Sequence, residues 1–116
     1  MVNSAGVCTP EGSFYICTKN PRSQYHLSLG LSYPNIEDAK RGLESHLINK
    51  KQYDAIVRRN AAKGIPPWDT QLGGEIFIHG EADIWDWTYG CVALYNADID
   101  ELFKVVPVGT KVVIQK

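Results

Sequence analysis

The sequence predicts a mainly β domain with inserted helices, an α+β fold, on three observations. Two stretches near the front carry the composition and two-residue period of strands, the region from Ile36 to Ala62 switches to three- and four-residue spacing, and Lys111-Val112-Val113-Ile114 returns to β-branched residues. The 116 residues, 44% of them hydrophobic, leave room for one domain with one core and need no metal or disulfide staple to hold it.

The first strand is expected over Ser13-Phe14-Tyr15-Ile16-Cys17-Thr18, entered by the turn Thr9-Pro10-Glu11-Gly12 and closed by Lys19-Asn20-Pro21. From Tyr25 to Ser32, Leu27, Leu29 and Leu31 alternate with His26, Ser28 and Ser32, the pattern of a half-buried strand. Asn35 is placed to cap a helix from Ile36 through Ile48, with Ile36, Ala39, Leu43 and Leu47 on one face. A second helix, from Lys50 to about Ala62, sets Tyr53, Ile56 and Val57 to one side and ends at Gly64. Its Lys50-Lys51 and Arg58-Arg59 pairs read as a solvated face. A loop bracketed by Pro66-Pro67-Trp68 and Gly73-Gly74 leads to a short apolar strand, Glu75 to His79, and then to an aromatic loop, Ala82 to Gly90. Asn96 to Phe103 reads as a short capped helix with acids in its first turn, and Pro107-Val108-Gly109-Thr110 turns the chain into the closing strand.

Composition narrows the function. A net charge of -1 with scattered Lys and Arg argues against nucleic acid, whose phosphates require clustered cations. No run approaches the roughly twenty apolar residues of a membrane span, and the start carries neither the basic nor the apolar region of a signal peptide. The three cysteines, Cys8, Cys17 and Cys91, include no CxxC pair, so neither a disulfide framework nor a four-thiolate zinc site is expected. Cys17 fits a small buried apolar residue. His79-Gly80-Glu81 matches half of the zinc deaminase signature, but the Pro-Cys-x-x-Cys half is missing; no metal and no cofactor are expected.

Cys91 reads differently. A cysteine acts as a nucleophile when an imidazole takes its proton and a third group fixes that imidazole. His79 ends an apolar strand, and the Gly80 carbonyl after it can orient the ring. Gly90 permits close approach to the main chain, where the N–H groups of residues 89 to 91 can face a tetrahedral oxyanion.

These residues resemble a family. Ile78-His79-Gly80, then Asp86-Trp87-Thr88-Tyr89-Gly90-Cys91-Val92-Ala93-Leu94, then Asn96-Ala97-Asp98-Ile99 are similar to the YkuD-type L,D-transpeptidase catalytic domain, whose signature is His-Gly followed by Ser/Thr-x-Gly-Cys. Thr9-Pro10-Glu11-Gly12-Ser13-Phe14, Lys19-Asn20-Pro21 and Leu31-Ser32-Tyr33-Pro34-Asn35 are similar to its upstream segments. The resemblance implies a β sandwich or barrel over residues 9–116, with Cys91 as nucleophile, His79 as general base and acid, Gly80 as its orienter, and Thr88, Tyr89 and Gly90 as motif and oxyanion backbone. Tyr33, His26 and Trp87 are expected to border the substrate.

The implied activity is acyl transfer on peptidoglycan tetrapeptide stems through a thioester, giving 3→3 cross-links or D-alanine exchange, in the periplasm or cell envelope. Two alternatives stay open: an L,D-carboxypeptidase or amidase-type hydrolase, including a delivered toxin, and a non-catalytic peptidoglycan-binding module. Family domains usually have one or two strands before the TPxG turn. Residues 1–8 are therefore expected to be a disordered or appended start, the sheet to lack its first strands, and the open edge to offer a route to a homodimer.

Overall fold

The computed structural model describes residues 10–23, 26–80 and 92–115. Its elements are β1 (Gly12–Ser23), β2 (His26–Leu31), α1 (Ile36–Glu44), α2 (Lys50–Ala61), β3 (Phe77–His79), β4 (Val92–Ala93), α3 (Asn96–Val105) and β5 (Lys111–Ile114). This is an α+β fold. Among the described residues the strands form one sheet in the order β4-β3-β2-β1-β5, antiparallel throughout except for the parallel pair β3 and β4. The described chain divides into a sheet unit, interrupted after Leu31 and resumed at Ile76, and a helical unit, Ser32–Glu75.

In the sheet unit β1 runs beyond the expected stop at Lys19-Asn20-Pro21. A register shift between Asn20 and Ser23 takes the extra residue there, and a proline, which has no N–H for the ladder, is tolerated at such an irregularity. The Arg22 N–H donates instead to Asn20 Oδ1 at 2.9 Å. A second shift falls between Ile16 and Thr18, at Cys17. Phe14 to Cys17 are buried without alternation, and so are Ser28 to Leu31. The half-buried pattern expected of β2 gives way because α3 packs on β2 within the sheet, so Ser28 is buried along with Leu29 and Leu31; Ser32, beyond the strand, is buried too. No room is left beside Gly30. A Cβ there would lie 2.5 Å from Thr18 Cγ2 and 3.2 Å from Phe77 Cε1.

The helical unit is organised by two reciprocal caps. Asn35 accepts from the Asp38 N–H while Asp38 accepts from the Asn35 N–H, and Asn49 and Gln52 do the same at the start of α2. Asp38 is buried and also binds Arg41. Burial raises its carboxyl pKa against the opposing pull of the Asn35 hydrogen bond and the Arg41 charge.

α1 stops at Glu44, short of Ile48, because the Gly42 carbonyl accepts from both the Leu47 and Ile48 N–H groups and His46 takes a left-handed φ of 64°. The apolar face shifts accordingly: Ile48 is buried with Ala39 and Ile56, whereas Ile36 and Leu47 are exposed. Asn60, buried on α2, donates to the carbonyls of Pro34 at 3.1 Å and Ile56 at 2.9 Å. In the sheet unit α3 begins after Tyr95, which makes no side-chain cap bond, so the helix lacks the cap expected of it.

Two outcomes follow from this packing. Gly30→Ala is expected to lower the urea midpoint by an amount equivalent to about 1–3 kcal/mol, and adding Thr18→Ser, which removes the clashing methyl, is expected to restore part of it. Burial pushes the Cys17 thiol up to about 11 from 9.0, and Tyr15 to about 12 from 10.0. Below pH 9 the thiol is protonated in both folded and unfolded chains. Between about pH 9 and 11 the unfolded chain releases that proton first, so stability falls as pH rises, and Cys17→Ala should flatten this part of a urea-midpoint profile.

Candidate active site

The site is built on β3. This three-residue strand lies between β2 and β4, with Ser28 opposite His79 on one side and Ala93 opposite it on the other. The peptide at its end is held from both neighbours: the Leu94 N–H donates to the His79 carbonyl at 2.7 Å, and the Gly80 N–H donates to the Leu27 carbonyl at 3.2 Å. The imidazole of His79 is 3% exposed, and its Nδ1 is 2.7 Å from the Gly80 carbonyl oxygen. A carbonyl oxygen only accepts, so Nδ1 carries the hydrogen and, in the neutral ring, the basic lone pair is on Nε2. A buried imidazole held in one tautomer by its own backbone can take a proton at one defined nitrogen.

Cys91, Thr88, Tyr89, Gly90 and Trp87 lie outside the described residues. The chain continues from Cys91 directly into β4, whose first residue, Val92, pairs with Ile78 next to His79. β4 was absent from the sequence-based expectation because two residues carry no readable period.

Cys17 is the described thiol, buried and raised to about 11, so it is protonated at neutral pH and has little thiolate for nucleophilic chemistry. Tyr33 belongs to the helical unit, where its hydroxyl donates to the Leu72 carbonyl at 2.8 Å. Burial, and secondarily the Asp38 charge, raise its pKa.

His26 opens β2 with a left-handed φ of 73°, and its Nε2 is 2.5 Å from Asp100 Oδ1 on α3. Sequence reading assigned Asp100 only to the first-turn acids of a helix. Nothing local signals its partner, which is 74 positions away in the chain. Among the described residues no group of three or more His, Cys, Asp or Glu is placed to hold a metal ion, and no helix is long and apolar enough to cross a membrane.

A held imidazole beside the strand that follows a Gly-Cys pair suits acyl transfer, in which a nucleophile is deprotonated and a leaving amine reprotonated at one nitrogen. The sequence profile of the YkuD family, the L,D-transpeptidase catalytic domain, matches residues 3–114. Comparison with curated proteins and with solved structures gives no match. With the profile covering nearly the whole chain, the chain belongs to the L,D-transpeptidase catalytic domain family.

Proposed function

We propose that the protein is a cysteine-dependent L,D-transpeptidase that acts on peptidoglycan tetrapeptide stems in the cell envelope. His79 Nε2 takes the Cys91 thiol proton, and the sulfur attacks the carbonyl of the third stem residue. The bond to the terminal D-alanine breaks, its amine leaves with the proton returned by His79, and the acyl group stays on sulfur as a thioester. An amine from a second stem then attacks the thioester, gives its proton to His79, and releases the cross-linked product and the free thiol. Backbone N–H groups of residues 89 to 91 face the oxyanion in both halves, a role typically worth about 3 kcal/mol per donor.

The observation that carries this reading is the Nδ1–H of His79 on the Gly80 carbonyl, in a chain whose family match covers residues 3–114. It leaves Nε2 as the site of proton exchange and needs no further carboxylate to orient the ring.

Intact-mass measurement after incubation with a carbapenem tests it. Thiolate attack opens the β-lactam ring without a leaving group, so wild type should gain the full mass of the drug once. Cys91→Ala should gain none, and His79→Ala should react on the order of 100-fold more slowly. A folded wild type that gains no mass, or an adduct that survives in Cys91→Ala, rejects the reading. Product analysis with isolated stems then separates transfer, which joins two stems, from hydrolysis, which releases D-alanine alone.

A further inference from the structure

His79 lies within a closed circuit of contacts. Its carbonyl accepts from Leu94, which leads through Tyr95 into α3; Asp100 of α3 binds His26; His26 adjoins Leu27, whose carbonyl accepts from Gly80; and the Gly80 carbonyl holds Nδ1 of His79. The His26–Asp100 pair is a side-chain link between α3 and β2 in that circuit. It matters because β4, two residues long and continuous with Cys91, pairs among the described residues with β3 alone. The start of α3 has no side-chain cap to fix it. What locates β4 from its far side is the docking of the first half of α3 on β2, where Ile99 is fully buried beside Asp100, and not that of its last turn, where Phe103 lies.

A second observation singles out the pair. His26 holds a left-handed backbone that a non-glycine residue adopts at a cost of order 1 kcal/mol, and such geometry persists where surrounding contacts enforce it. The two side chains are 38% and 47% exposed, so a gain in overall stability is a weak reason for the pair.

We propose that His26 and Asp100 are positioning residues for acyl transfer, clamping α3 to β2 so that β4, the strand that follows Cys91 in the chain, keeps its place beside His79. The proposal rests on the catalytic reading above and gives His26 a role apart from substrate contact. A displacement of about 1 Å between reacting groups is enough to slow a reaction roughly 100-fold, so the clamp acts on rate and not on affinity.

The experiment measures carbapenem acylation rate and apparent binding constant separately for wild type, His26→Gln, Asp100→Asn, the double variant, Asp100→Glu and Lys19→Met. Lys19 ties α3 to β1 outside the circuit, donating to the Phe103 carbonyl at 2.6 Å and lying over the Phe103 ring. Each single variant of the pair should lose about 10- to 100-fold in acylation rate with binding constant unchanged within about threefold. The double variant should be no slower than the slower single, because both break one link. Asp100→Glu should recover most of the rate, and Lys19→Met should lower the melting temperature while leaving the rate within about twofold.

Additive losses, a loss confined to binding, unchanged rates, or an equal slowing by Lys19→Met would each overturn the proposal. A folded wild type that forms no adduct overturns the catalytic reading, and this inference with it. That result is distinct from a reactive wild type that is indifferent to the pair.

Discussion

The His79 peptide is held on both edges of β3, by Leu94 from one side and through Gly80 by Leu27 from the other, and the site depends on this double support. A strand of three residues has too few ladder bonds to be stable alone and takes its position from its neighbours. With the peptide fixed, the Gly80 carbonyl is fixed as well, and with it the only orientation in which Nδ1 can donate at 2.7 Å. The side chain is thus oriented by main chain, which no substitution of a neighbouring residue type removes directly. Burial completes the effect by keeping water from competing for that carbonyl.

Cys17 illustrates how environment separates residues of one type. Its thiol sits at an irregularity of β1 among Phe14, Tyr15 and Ile16, where burial disfavours the thiolate. The chain therefore carries a thiol in its core that stays chemically quiet at neutral pH. A nucleophile elsewhere in the same molecule meets no competition from it.

Much of this was readable from residues alone. Aromatic and β-branched runs located β1 and β5, alternating leucines located β2, and the Asn35 cap stands where helical spacing begins. His79 and Gly80 stood out because the chemistry of an oriented imidazole has a short local pattern. The misreadings have physical causes. Pro21 looked like a strand terminator, but a register shift absorbs it. Leu47 kept the helical spacing of α1, yet the Gly42 carbonyl ended the helix three residues earlier and left Leu47 exposed. Burial of Ser28 follows from the docking of α3 on β2, which a local period does not encode. The partnership of His26 with Asp100 was beyond sequence reading for the same reason: it exists only after α3 has docked.

The helical unit enters after Leu31 and leaves before Ile76, and these two residues share a rung, the Leu31 N–H donating to the Ile76 carbonyl at 2.8 Å. The whole excursion thus begins and ends one strand spacing apart. For the folding chain this bears on the entropy of closure. Bringing β3 to β2 across a disordered excursion requires closing a long loop, whose entropic cost grows by about 0.6 kcal/mol for each doubling of length. Contacts inside the excursion are short in sequence, with two capping boxes and a core of Ala39, Ile48 and Ile56, so they form at little such cost. An excursion that has already condensed presents its two ends to each other as a hairpin would.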